Sequence, residues 1–237
     1  MEIRIIKIVP KAFAVNFNLP GRQFPQIGGL QEDFPLGYVR YFYLDWETKT
    51  VEFKPGVVLD LKPFPGVLAV GMDPNDPARD RPTRVNTIRP WKHGSNMDLN
   101  ELQEGSILYV PIHQKGGLIW TGDSHCRQGN GEVNLTALEC AYREIVIQPI
   151  VRKDIKLEWP RVETATHWVM VGFDEDLNKA FKNAVRETID FLVKQQKFDP
   201  YEAYSFVSIA GDCRVTQVVD IRKGVHCMIA KEHFKRS

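Results

Sequence analysis

A chain of 237 residues, with 31 Lys and Arg against 30 Asp and Glu, can bury a sizeable core as one body and is nearly neutral. Without a long run of either charge it lacks the electrostatic footprint of a nucleic-acid or anionic-membrane binder, and a neutral or small substrate fits better. No stretch approaches the roughly 20 apolar residues of a bilayer span, and Met1 to Ile6 lacks the zones of a signal peptide, so a cytoplasmic protein is expected.

The first part reads as short extended segments, Ile3–Val9, Val39–Leu44, Thr50–Phe53 and Val57–Leu61, separated by Pro and Gly clusters. Met72–Pro82 is proline-rich and charged with no apolar period, which predicts a surface loop, with a lid as the rarer alternative. Ser106–Ile112 and Gly117–Trp120 read as strands bracketing a turn at His113–Gly116. Val133–Val151 fits one long strand or two, and Thr166–Phe173 another. A helix is expected over Leu177–Gln195, with Leu177, Phe181, Ala184, Thr188 and Leu192 on one face and Asp174, Glu175 and Asp176 at its positive end. A second begins at Asp199-Pro200-Tyr201-Glu202, a capping-box pattern, and Gly211 can end it. Val215–Ile221 then reads as a strand.

Many strands followed by a strand, helix, helix and strand group predict a mainly β fold with an α+β C-terminal part. The expectation is one domain over 1–237: a β-sandwich, β-rich through residue 173 and α/β from 174 to 237, rather than a wound parallel sheet. Neither Gly-x-Gly-x-x-Gly nor a phosphate loop ending in Gly-Lys-Ser/Thr occurs, so nucleotide chemistry is not indicated. Cys126, Cys140, Cys213 and Cys227 form no Cys-x-x-Cys pair, and in a reducing compartment they would be buried small hydrophobes.

Asp123 and His125 stand two apart at the end of a strand, so continued extended backbone would point a carboxylate and an imidazole to one face, where they can share a metal. A hairpin through Gly129–Gly131 would return Glu132 or Glu139 toward them. Catalytic zinc takes three such protein ligands and leaves a position for water. The bland alternative is a polar hairpin with its caps. Earlier, Lys92-His93-Gly94-Ser95-Asn96-Met97-Asp98 is a small-residue turn whose polar groups taken alone bond to nearby backbone. A rival chemistry has Cys126 as nucleophile with Glu132 as base.

These segments occur together. His93-Gly94-Ser95-Asn96-Met97-Asp98, Leu108-Tyr109-Val110-Pro111, Gly122-Asp123-Ser124-His125, Gln128-Gly129-Asn130-Gly131-Glu132 and Glu139 follow one another in an order and approximate spacing that resembles the acetamidase/formamidase family. Ala203-Tyr204 and Ser208-Ile209-Ala210 continue the match toward the end. The resemblance covers nearly all of the chain and is specific between Asn96 and Glu139. It implies a β-sandwich related to jelly rolls with an added α/β part, and hydrolysis of short aliphatic amides such as formamide or acetamide to acid and ammonia. It also implies a divalent metal, zinc first with calcium or manganese as alternatives, and self-association as a dimer or larger homo-oligomer. On this reading Asp123, His125 and Glu139 hold the metal. His125 and Glu132 are the catalytic groups, with Glu132 carrying a proton to the departing ammonia, and His93, Asn96 and Asp98 face the substrate.

Three positions depart from the family pattern: Ser95 where Gly is usual, Asn130 where Asp is usual, and Cys126 at a position usually small and unreactive. Asn130 brings no negative charge, so a metal site using it would be weaker. Family members also carry an N-terminal β region ahead of the part matching Ile3–Val9, which leaves either a shortened relative or a second chain supplying strands. The alternative to an amidase is a non-catalytic binding or assembly protein of the same fold.

Overall fold

The computed structural model describes residues 1–24, 27–79 and 84–234. Its frame is β1 (Glu2–Asn18), which carries on beyond Val9 because Pro10 is absorbed at shifts in the register with its neighbour rather than ending the strand. Around it lie β2 (Tyr38–Tyr43), β3 (Thr50–Lys54), β4 (Val57–Asp60), β5 (Phe64–Ala69), β6 (Gly94–Asn96), β7 (Ile107–Tyr109), β8 (Trp120–His125), β9 (Glu139–Ile150), β10 (Arg161–Glu163) and β11 (His167–Asp174). The last third adds α1 (Leu177–Gln196), α2 (Pro200–Ala210), β12 (Asp212–Gln217) and β13 (Lys223–Ala230).

Eleven of the strands form one antiparallel sheet in the order β12-β13-β11-β10-β7-β1-β9-β8-β5-β6, with β2 pairing to β1, and β3 with β4 makes a separate hairpin. The fold is therefore mostly β, one large antiparallel sheet with two helices. The sheet does not lie flat. Phe64 and Leu68 near one end share a core cluster with Val169, Val171 and Phe173 near the other. The rings of Trp91, Trp159 and Phe173 join the two ends in succession, at centroid distances of 4.9 and 6.2 Å. The sheet thus folds back on a single apolar interior.

Four strands were not expected, β5, β6, β10 and β13. In β5, Phe64 to Ala69 is buried throughout, so it shows no alternation, and Pro65 and Gly66 hide its strand character. β13 runs Lys223–Ala230 and occupies the place between β12 and β11, while the expected Val215–Ile221 strand stops at Gln217 and turns. Two segments expected as strand are not. Gly117–Ile119 lies outside β8, which starts at Trp120, and residues 133–138 form turns before β9. Residues 72–79 have no helix or strand, as expected of the loop, and residues 80–82 lie outside the described residues.

α1 packs on the sheet through a face rotated from the expected one. Ala180, Ala184, Thr188, Phe191 and Leu192 are buried, whereas Phe181 is about half exposed. The cause is close approach. A methyl group on Gly172 of β11 would lie 2.3 Å from Ala184 N and 2.4 Å from Ala180 O, so only alanines fit the contact and a phenylalanine must turn away. Asp176 caps α1 by accepting from Lys179 N, and Asp199 with Glu202 completes the capping box of α2.

The cysteines are not free. Cys126 is bonded to Cys140 and Cys213 to Cys227, the second pair directly opposite each other on β12 and β13. The expectation of four free, buried thiols is therefore corrected: all four cysteines are paired. Among the described residues no helix is long and apolar enough to cross a membrane.

The Gly172 contact makes a direct test of how α1 is seated. Gly172→Ala should lower the unfolding free energy by about 2–3 kcal/mol through overpacking, read as a shifted urea midpoint; a midpoint equal to wild type would show that the helix can retreat without cost.

Candidate metal centre

The centre is built where β5, β8 and β9 lie side by side. His125 ends β8 directly opposite Glu139, the first residue of β9, and on its other side pairs with Phe64 of β5. The hydroxyl of Tyr142 lies 2.7 Å from His125 O and 2.5 Å from Phe64 O, sharing one proton between two carbonyls and tying the three strands together. The Cys126–Cys140 bond then closes the chain one residue beyond both His125 and Glu139.

The imidazole of His125 is 1% exposed and has carboxylates on both sides. Its Nε2 lies 3.3 Å from Asp123 Oδ1 and 3.2 Å from Glu139 Oε1, and its Nδ1 lies 3.6 Å from Asp98 Oδ1. Two donor groups of metal-binding dimensions result, Asp123, His125 and Glu139 on one side and Asp98, His125 and Glu132 on the other. The sides differ in access. The side chains of Asp123 and Glu139 are 34% and 21% exposed, while Asp98 is 1% and Glu132 6% exposed.

Gly66 in β5 makes the crowding feasible. A methyl group there would lie 2.5 Å from Asp98 Oδ1, 2.6 Å from His125 Cε1 and 2.7 Å from Asp123 Oδ2, so the space these groups converge on exists because residue 66 has no side chain. Asp98 N also donates to Gly66 O, at 3.2 Å. Three of the donors hold left-handed backbone, with φ of 47° at Asp98, 54° at Asp123 and 45° at Glu132. Such conformations cost about 1–3 kcal/mol each and collect at functional sites.

The charges follow from this packing. Burial would pull the His125 imidazole down, but Asp123, Glu139 and Asp98 outweigh it and raise it well above its ordinary value. Burial pushes Asp123 up, and its contacts with His125 and Glu139 more than offset this, leaving it below the usual carboxylate range. On the enclosed side burial wins. Glu132 is pushed up to about 10, with the charge of Asp98 adding to the effect, and Asp98 is raised well above its ordinary value by burial and by Asp220.

Asp220 is the participant that the sequence did not announce. It lies in the turn between β12 and β13, is 5% exposed, and its charge helps to raise Asp98. Nothing in the local sequence marks it, because it reaches the centre only through the closing of the sheet. Gly66 was missed for a similar reason, lying in a strand that reads as a proline-broken stretch.

Of the other expected residues, Asn96 is half-buried at the end of β6, paired with Val67 next to Gly66. His93 is buried but lines a small cavity with Met72, Asn86, Arg89 and Arg222, and it belongs to neither donor group. Burial lowers its pKa to about 4, so it is neutral at pH 7. Asn130 is exposed and its Oδ1 accepts from Asn100 Nδ2, so neither donor group uses the position where it replaces an acid. Cys126 is bonded to Cys140 and fully buried, which removes the thiolate that cysteine catalysis needs. Ser95 has φ of 79°, the left-handed conformation a glycine adopts without strain.

The residues fit a divalent cation. The open-side set is one imidazole and two carboxylates, the ligand types of catalytic zinc, and the buried His125 Nδ1 and both Asp98 oxygens have no hydrogen-bond partner in the structure.

Comparison with known proteins agrees with this arrangement. The acetamidase/formamidase family matches residues 78–235, a span holding every donor named above. A formamidase from Methylophilus methylotrophus is 28% identical over 159 residues, covering 57% of this chain and 38% of that protein. An acetamidase from Mycolicibacterium smegmatis is 35% identical over 48 residues, 20% of this chain and 12% of that one. The alignments thus span well under half the length of these curated relatives. Among solved structures, an acetamidase from Bacillus halodurans superposes with a TM-score of 0.87 at 27% identity, covering 98% of this chain and 74% of that one. One from Yersinia enterocolitica gives 0.84 at 29% identity, covering 99% and 70%. A match over more than half of the chain, carried by the same fold from end to end, establishes that the chain belongs to the acetamidase/formamidase family.

Proposed function

We propose that this chain is a divalent-metal-dependent amidase that hydrolyses short linear amides, of the formamide or acetamide type, to the carboxylic acid and ammonia. The observation that carries the reading is the open-side set, Asp123, His125 and Glu139, placed within ligand distance by the β8–β9 pairing and facing solvent through Asp123. These three residues would hold the ion, with zinc suited to the set. When bound there, a divalent cation polarises a carbonyl oxygen and makes water acidic enough to react near neutral pH.

The chain's own groups have separate tasks in this reading. His125 and Glu139 are fixed by strand pairing and hold their positions. Asp123 is the most exposed of the three, so water enters on its side of the set. Glu132, expected as the proton carrier, would give a proton to nitrogen as the carbon–nitrogen bond breaks and recover one from the water whose oxygen bonds to the amide carbon. Asn96, beside Gly66, is placed to orient a planar amide. Glu132 and Asp98, expected as proton carrier and substrate contact, both lie on the enclosed side of His125. Self-association belongs to the same reading and is checked by the mass in solution.

Ammonia release from formamide and acetamide tests the proposal. It should fall to background after chelation and return with zinc, and Glu139→Gln should lower kcat/KM by about 100-fold or more through loss of a ligand; activity that survives complete metal removal would sink the mechanism, and no turnover with zinc, manganese or calcium would leave the non-catalytic alternative. A second expectation concerns Gly66. Gly66→Ala should weaken zinc binding at least about tenfold, since three of the converging groups must move, so a variant with wild-type zinc content and activity would contradict the role given to this glycine.

A further inference from the structure

The sheet face that carries the metal centre continues past it into solvent. Residues directly opposite each other on neighbouring strands present their side chains to the same face. Across β5, β8, β9, β1 and β2 one such row runs Phe64, His125, Glu139, Val15 and Tyr41. Phe64 belongs to the core and His125 is buried, whereas Tyr41 is 72% exposed, so the row begins under cover and ends in the open. The rows on either side of it in β1 and β2 are Phe13 opposite Tyr43 and Phe17 opposite Val39. Tyr43 is 87%, Val39 56% and Phe13 53% exposed.

The other face of the same two strands is closed. Ala14 and Phe42, opposite each other, pack with Val51 of the β3–β4 hairpin, Leu61 and Cys126. The open rows are therefore an inner face without a covering layer, not a polar outer face. None of the six residues in β1 and β2 is charged, and β2 pairs only with β1 among the described residues. At about 200 Å² for a fully exposed aromatic side chain and somewhat less for valine, Phe13, Val39, Tyr41 and Tyr43 present roughly 500 Å². Phe34 and Leu36 are exposed as well and are held beside the end of β1, where Gly21 N donates to Phe34 O at 3.0 Å and Asn18 Nδ2 to Leu36 O at 3.3 Å. They bring the area to about 750 Å², more than a monomer usually leaves in one patch and near the roughly 800 Å² that each partner gives to an interface of standard size.

We propose that this face is a self-association surface, on which the β1 and β2 rows of two copies of the chain pack face to face across a two-fold axis. A second copy is the occupant that the surface suits. The rows carry no charge for a different partner to match, the area is what a stable dimer takes from each side, and a two-fold axis brings identical apolar rows together, as an isologous contact requires. The inference deepens the self-association part of the reading above and rests on that reading for what the metal centre does. Only Val15 separates Tyr41 from Glu139 in the row, a span of about 10 Å at the usual strand spacing. A second copy seated on Tyr41 therefore borders the open side of the metal centre.

Sedimentation equilibrium of the whole chain from about 1 to 50 µM tests this. Wild type should show twice the 27.2 kDa mass of one chain. Val39→Lys combined with Tyr43→Lys should raise the dimer dissociation constant by about 100-fold or more, with circular dichroism and zinc content per chain unchanged. Tyr201→Lys, on the exposed side of α2, should leave it as it is. Hydroxyl-radical labelling of wild type decides the matter even if the double variant does not fold: on concentration Tyr41 and Tyr43 should lose reactivity about threefold or more and Tyr201 should not. Wild type that stays monomeric throughout would overturn the proposal and leave the face to a different partner. A dimer that survives the folded double variant, or that protects Tyr201 and leaves Tyr43 reactive, would overturn it too. Dimers that release no ammonia from any amide would refute the amidase reading and leave this surface standing, while ammonia release by a wild-type monomer would do the reverse.

Discussion

The structure around His125 depends on holding like charges together. Four carboxyl groups, Asp98, Asp123, Glu132 and Glu139, meet at one buried imidazole, and left alone such a cluster would push itself apart or take up protons. What opposes this is covalent and backbone restraint applied close to the repelling groups. Strand pairing sets Glu139 opposite His125, a disulfide joins the next residues, and the Tyr142 hydroxyl bridges the carbonyls beneath. None of these restraints needs the carboxylates to attract each other.

The same restraint is visible in the backbone. Asp98, Asp123 and Glu132 all adopt left-handed φ without being glycine, and glycine instead occupies position 66, where a side chain would fill the space the acids converge on. Conformational freedom has been given up where a functional side chain is required and kept where room is required. A sequence shaped for stability alone would place these the other way round.

Legibility in the sequence divides along the same line. Helix ends were readable because capping is local: Asp199, Pro200 and Glu202 specify the start of α2 within four residues. Asp123 and His125 were readable as a pair because two-residue spacing on a strand is local, and Glu139 because a turn returns it. The family resemblance added His93 through Asp98. Asp220 and Gly66 were not readable, since each acquires its meaning from a contact made when the sheet closes, and β5 hid behind Pro65 and Gly66. The disulfides were missed because both pairs depend on strand register, Cys213 opposite Cys227 and Cys126 just beyond the His125–Glu139 pair. Phe181 shows the reverse error. A correct helix was given the wrong face, because the packing partner is a glycine on another element.

The two sides of His125 then have a physical reason to differ. A reacting amide needs access to solvent for water to enter and ammonia to leave, and Asp123 and Glu139 provide it. The imidazole separates an exchanging side from a closed one, and with Asp98 Oδ1 3.6 Å from His125 Nδ1, the packing of the closed side bears on how firmly His125 is aimed at the open side. Turnover and architecture would then be coupled through one ring.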